Sequence, residues 1–347
     1  MTKRIRIKDR FIGGNAPITI QSMTNTKTEE VDATVAQILR LERAGCDIVR
    51  MSVNNQAAAD AVFAIKKQVH VPLVADIHFD YRLAIRAIEQ GIDKIRINPS
   101  NIGSENAVRE VVAAAKDAGI PIRVGVNGGS LEKESLAQFG FSAKALADSA
   151  MKQVRVLEKC GFEEIVISAK CSDVKMNTDA YRLLSEATEY PLHIGVTEAG
   201  GGDLAIAKSY AGIGALLLDG IGDTIRVSLT GDPVAEVYAA DNLLKATGYR
   251  KRFVEVISCP TCARTEIDVL SLSERVKRET AHIEKPLTVA IMGCVVNGVG
   301  EGSHADIGIA GGKERSALFR HGEIVATLPN EEIFDALMRA IEEECRD

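Results

Sequence analysis

The sequence contains no tryptophan, and aromatic residues fill only 4% of its 347 positions. Proteins that grip nucleic acids in general need stacking platforms set in a basic field. Here 42 Lys plus Arg face 48 Asp plus Glu for a net charge of −6, so both ingredients are missing and nucleic acid is not an expected partner. No run approaches the roughly 18 apolar residues of a membrane span. The opening MTKRIRIKDRFIGG alternates charged and apolar residues and lacks the apolar segment of a signal peptide. The expectation is a cytoplasmic protein with no membrane partner. The seven cysteines, Cys46, Cys160, Cys171, Cys259, Cys262, Cys294 and Cys345, are odd in number, which argues against a disulfide framework. Their chemistry should instead be metal binding or catalysis.

What the sequence does contain is a long alternation. Apolar runs at ITIQSMTN, CDIVRMSVN, PLVADIH, KIRINP, PIRVGVN, EIVISAK, LHIGVTE and TIRVSLT read as eight strands. Between them lie amphipathic segments such as SENAVREVVAAAKDAG. Gly45, Gly91, Gly119 and Gly161 recur just past a helix and before a strand, where a left-handed residue turns the chain back. Eight such units over roughly 250 residues predict an α/β fold, a TIM (β/α)8 barrel. An open doubly wound sheet is the competitor, but no GxGxxG follows the first strand. The composition changes at YRKRF. The boundaries expected are a barrel over 1–246, a linker over 247–252 and a small α+β domain over 253–347, read as strand, helix, strand, Gly-rich loop, two short strands and a final helix.

Chemistry in such a barrel sits at the C-terminal ends of the strands. The polar residues there are Arg50, Asp76, His78, Arg96, Asn98, Arg123, Asn127, Lys170, Thr197, Glu198, Arg226 and Ser228. Residues two apart share a face, so Asp76 with His78, Arg96 with Asn98, and Arg226 with Ser228 should project together. Five cations converging in an acidic protein call for a polyanion such as a diphosphate, which guanidinium forks bind bidentately. For any single arginine a structural pair with Asp76 or Glu198 is an equal alternative. Glu198 and Asp76 are the carboxylates available for proton transfer, with His78 as a donor. His193 and His70 read as packed or surface histidines.

Cys259-Pro-Thr-Cys262 places two thiols on one turn, and Cys294 follows about thirty residues later in MGCVVNGVGEG. A zinc ribbon would bring a second CxxC or a His pair. The next liganding side chain is instead Glu301, among Gly293, Gly298, Gly300 and Gly302. Three Cys and one oxygen ligand suggest a [4Fe–4S] cluster with one labile iron that can bind substrate. A structural zinc site using His304 is the alternative. Cys46 and Cys160 read as small buried hydrophobes, Cys171 as a weaker site-lining candidate, and Cys345 as exposed.

Taken together, QSMTNT, VRMSVN, ADIHFDYRLA, KIRINPSNIG, RVGVN, GVTEAG, RVSLTGDP, CPTCART and MGCVVNGVGE resemble the bacterial 4-hydroxy-3-methylbut-2-enyl diphosphate synthases, nearly end to end. The resemblance implies a TIM barrel followed by an iron–sulfur domain, with the cluster held by Cys259, Cys262, Cys294 and Glu301. It also implies a homodimer in which the barrel of one chain faces the cluster domain of the other. The implied reaction is the two-electron reductive dehydration of 2-C-methyl-D-erythritol 2,4-cyclodiphosphate, with a hinge near Thr247 to Arg252. A flavodoxin or ferredoxin must supply electrons, for the sequence shows no flavin or nicotinamide fingerprint. Tyr249–Arg252 and Arg275–Arg278 are candidate docking charges, with solvated surface the equal alternative. The rival reading is a non-redox barrel enzyme acting on a phosphorylated or pterin-like substrate with a zinc-stapled C-terminal domain.

Overall fold

Apolar strand runs alternating with amphipathic helices produce a ring of parallel strands. The computed structural model describes residues 1–296, 300 and 302–346. They form two compact units, Met1–Tyr249 and Arg250–Asp347. Among the described residues no helix is long and apolar enough to cross a membrane.

In the first unit a hairpin, β1 (Ile5–Ile7) and β2 (Arg10–Ile12), precedes β3 (Thr19–Met23), β4 (Ile48–Ser52), β5 (Leu73–Asp76), β6 (Lys94–Ile97), β7 (Ile122–Asn127), β8 (Ile165–Lys170), β9 (His193–Ile194) and β10 (Thr224–Ile225). The last eight form one sheet in the order β8-β7-β6-β5-β4-β3-β10-β9. A parallel bridge from Ile167 to Leu192 brings its two ends together, so the barrel closes. All eight strand runs predicted from the sequence are present, although β9 and β10 are only two residues long. Six of the helices begin on capping residues: Asn55, Asp80, Ser104, Ser142, Asp173 and Asp232 each accept a backbone N–H of the following turn. Their N-termini follow the C-terminal strand ends, so the positive ends of their dipoles add to the potential there. The four joint glycines all have positive φ, for example 64° at Gly119, as the return turn requires.

The two-residue period of the strands sorts side chains. Ile95 and Ile97 join the large core under the helices, whereas Lys94 and Arg96 alternate with them and face the lumen. The hairpin was not foreseen in the charged opening segment. Its Ile5, Ile7 and Ile12 pack with Ile48, Val74 and Val166 from the N-terminal ends of barrel strands and seal that end. Each isoleucine so buried is worth about 1.5–3 kcal/mol.

The second unit has a five-stranded sheet in the order β11-β12-β13-β14-β15. Strands β11 (Val254–Ser258), β12 (Leu287–Met292) and β13 (Ile307–Ala310) run parallel, and β14 (Arg315–Arg320) and β15 (Glu323–Pro329) return antiparallel. One helix (Val269–Glu279) and the last helix (Ile333–Arg346) supply Val276, Leu337 and Ile341 to a core with Val289, Ile291, Ile307 and Ile309. Strand β14 was not foreseen, because RSALFR offers only a short apolar run between charges. Cys345 packs against this core, so the expectation that it is exposed is corrected.

Ile7→Ala should lower the unfolding free energy of the barrel by about 2–5 kcal/mol. The reading is an earlier urea midpoint with an unchanged slope.

Candidate functional site

The barrel lumen is built from charge. Lys94, Arg96, Arg123 and Lys170 are buried, and Arg50 and Arg226 retain only 12% and 16% of their side-chain exposure. Against these six basic side chains stand the buried carboxylates Asp76 on β5 and Glu236 on the helix after β10, while Asp93, also buried, pairs with Lys66. In an effective dielectric of about 20, two like charges 6 Å apart repel by roughly 3 kcal/mol. The two acids are placed to relieve the worst of this. Asp76 lies 3.1 Å from Arg96 Nη1, 3.7 Å from Arg50 Nε and 3.5 Å from His78 Nε2. Glu236 accepts from Arg226 Nε and Nη2 at 3.2 and 3.1 Å, a bidentate pair. Burial alone would raise the Asp76 carboxyl, but the Arg50 charge, the His78 hydrogen bond and the Arg96 charge hold it well below the usual carboxylate range. Burial pulls Arg50 down to about 10, so it stays charged at neutral pH.

Space for these long side chains comes from inward glycines. A Cβ on Gly125 would fall on the Arg96 guanidinium, which instead donates from Nη2 to the Gly125 carbonyl at 3.1 Å. A Cβ on Gly195 would lie 2.5 Å from the Arg226 carbonyl and 2.6 Å from Lys170 Nζ. Met23 fills a gap between cations, its sulfur 3.1 Å from Arg50 Nε and 3.8 Å from Arg226 Nη1.

The remaining sequence-derived residues ring the same end. Asn98 is buried and accepts the Ser100 N–H at 3.1 Å. Asn127 closes β7, Thr197 and Ser228 are half-buried just past the short β9 and β10, and His78 is exposed. Glu198 is exposed with φ of 55°, a left-handed conformation unusual for a residue with a Cβ. His193, read from the sequence as an ordinary packed residue, faces Thr224 across the strands, with Nδ1 3.4 Å from the hydroxyl. The sequence reading missed Glu236, Gly125, Gly195, Met23 and Lys94. For Lys94 and the two glycines the signal was the strand alternation itself.

In the second unit, β11 and β12 pair so that Ser258 lies opposite Ile291, which brings the residues after both strands to one edge. The Gly293 N–H donates to Cys259 Sγ at 3.2 Å, and the Glu266 N–H donates to the Gly293 carbonyl at 2.8 Å. A Cβ on Gly293 would lie 2.8 Å from Thr265 and 2.9 Å from Val269, so only glycine lets the two loops approach. The Arg264 backbone N–H lowers the exposed Cys262 thiol from its ordinary value. By contrast burial pushes Cys46 and Cys171 up to about 12 and about 11, which keeps them protonated. Cys259, Cys262 and Cys294 are all free thiols, and this donor set, with an N–H···S bond and a glycine-permitted approach, suits a thiolate-bound cluster. Among the described residues no three His, Cys, Asp or Glu side chains gather as a metal site, and Glu301 lies outside the described residues. Of the candidate docking charges, Arg275 lies over the Phe334 ring at 3.4 Å, and Lys277 and Arg278 alternate with Glu274 and Glu279 along an exposed helix face.

Replacing Asp76 by Asn leaves two buried guanidiniums without their acid, and should cost about 3–5 kcal/mol at pH 7. Because the folded carboxyl titrates below its unfolded value, its contribution is complete above about pH 4 and fades as pH falls further. Denaturant unfolding should therefore show a flatter acid limb for Asp76→Asn than for the parent.

Comparison with known proteins agrees with both units. The model described as GcpE TIM-barrel domain matches residues 2–241, and that described as GcpE protein C-terminal domain matches residues 255–343. A protein of Caldanaerobacter subterraneus subsp. tengcongensis named 4-hydroxy-3-methylbut-2-en-1-yl diphosphate synthase (flavodoxin) is 56% identical over 343 residues, covering 99% of this chain and 97% of its own length. Similarly named proteins of Fusobacterium nucleatum and Geobacter sulfurreducens are 52% and 51% identical, covering 99% and 98% of this chain and 97% of each of those proteins. Among solved structures, Yersinia pestis dihydropteroate synthase superposes with a TM-score of 0.51 at 13% identity, over 72% of this chain and 100% of that one, a likeness of fold alone. The zinc-stapled, non-redox alternative gains no support from the relatives. The chain belongs to the GcpE family, that of the 4-hydroxy-3-methylbut-2-en-1-yl diphosphate synthases.

Proposed function

We propose that this chain opens 2-C-methyl-D-erythritol 2,4-cyclodiphosphate reductively to the linear 4-hydroxy-3-methylbut-2-enyl diphosphate, with the diphosphate held in the barrel lumen. The observation that carries the substrate class is the lumen composition, six basic side chains, four of them arginines, against two carboxylates. A diphosphate supplies the missing negative charge, and guanidinium forks match its oxygens. Two electrons and two protons enter, a C–O bond to the diphosphate opens, and a hydroxyl leaves as water.

Arg50, Arg96, Arg123, Lys170 and Arg226 bind phosphate oxygens in this reading, helped by Asn98, Asn127, Thr197, Ser228 and His78. Asp76 keeps Arg50 and Arg96 aimed at the substrate. A carboxyl held so far below its ordinary range is a weak base, so the geometry favours this holding role over the proton transfer expected from sequence. Glu198, exposed in a strained loop at the mouth, is the carboxylate that moves protons as water departs. Cys259, Cys262, Cys294 and Glu301 would hold a [4Fe–4S] cluster, which supplies electrons one at a time. The electron donor is a flavodoxin, supported by the relatives' names, with a ferredoxin as the alternative. Residues 247–252 serve as the hinge, and the working form is a homodimer in which one chain's barrel serves its partner's cluster domain.

Protein purified without air should be brown and carry about four irons and four sulfides per chain. Colourless protein with one zinc would sink the cluster reading. Glu198→Gln should retain binding of the cyclic diphosphate while kcat with a low-potential reductant falls at least 100-fold; unchanged kcat removes Glu198 from the proton path.

A further inference from the structure

Below the residues assigned to the substrate lies a layer that this reading leaves unused. Lys94 precedes Arg96 by two on β6, so it faces the same lumen one step deeper. It is wholly buried, and its Nζ has no hydrogen-bond partner. The same is true of Arg123 Nε and Nη1, both amide atoms of Gln21, and His193 Nε2. Buried polar atoms are ordinarily satisfied, and each one left bare costs free energy. Val74, its register partner on β5, belongs to the apolar seal made by the hairpin, so this polar layer is where the lumen ends.

We propose that Lys94, with Gln21 and His193, forms the floor of the diphosphate site, and that Lys94 takes up a proton as the polyanion enters. The proposal rests on the diphosphate reading of the barrel. The charges that act on Lys94 are cationic: Arg123 from β7 and Arg50 from β4. Lys170 on β8 lies further round and is itself held low by burial and by Arg123, and His193 on β9 is pushed well below its ordinary range chiefly by burial. Asp76 on β5 is engaged by Arg50, Arg96 and His78, and Arg226 beyond β10 by Glu236. The hairpin beneath gives Ile5, Ile7 and Ile12 to the seal, and its Arg10 is paired with Asp47. Burial first, then Arg123 and Arg50, hold the amine well below the lysine range, and in this proposal it rests uncharged until an anion enters. Guanidinium cannot release its proton under such stress, and an amine can. A diphosphate above cancels the field of the arginines, and the amine then takes a proton from solvent to become an ammonium donor to that anion.

The test is titration calorimetry on oxidised holoenzyme without reductant, so that nothing turns over, at pH 8 in two non-phosphate buffers of different ionisation enthalpy. The probes are inorganic pyrophosphate and the cyclic diphosphate. Lys94→Met should take up about one proton fewer than the parent on binding, and bind about tenfold more weakly. Comparing the two proteins cancels protons carried by the probe itself. Because the amine is neutral in the free protein, Lys94→Met should melt no lower than the parent. An unchanged proton count, unchanged affinity, or a variant that melts far lower or fails to fold makes Lys94 a structural group and overturns the proposal. If neither probe binds the parent, the diphosphate reading fails and this proposal with it. If both bind without Lys94-dependent uptake, only the Lys94 assignment falls.

Discussion

Everything at the working end of the barrel follows from one constraint: more positive charge is buried in the lumen than protein carboxylates can neutralise. Asp76 serves three partners at once, and Glu236 reaches in from outside the strand ring to hold Arg226. Neither acid can do more. The surplus is accommodated because glycines at 125 and 195 let long side chains lie across the lumen without displacing backbone. A site assembled this way trades intrinsic stability for readiness toward an anion, a trade common where function needs charges held apart.

The second unit solves a different problem, that of bringing thiols from distant parts of the chain to one edge. Parallel pairing of β11 with β12 sets the register, so residues about thirty apart in sequence end side by side. The finer approach depends on Gly293, which accommodates Thr265 and Val269 and offers its N–H to Cys259. At Cys262 the Arg264 N–H favours the thiolate form.

Much of this was legible in the sequence, for reasons that also explain the failures. All eight barrel strands were visible because buried parallel strands are nearly continuous apolar runs. The cations at their ends stood out because charge interrupts those runs just where the strand leaves the core. Lys94 was overlooked although the same alternation that marks Arg96 marks it too; a lysine opening a strand reads as an edge residue until the barrel closes around it. Glu236 could not be found, because its pairing with Arg226 depends on how a helix packs behind the sheet. The hairpin and β14 were hidden because charged residues hold every other position in one and both ends of the other.

The isoleucines of the N-terminal hairpin give the barrel a closed bottom. A lumen sealed there is a cup with a single doorway, not a tunnel. In the diphosphate reading, whatever is bound would back out past the same arginines before another molecule could enter. Entry and exit would then be mutually exclusive events, and the strength of the grip on one diphosphate would also set how fast the next could be served.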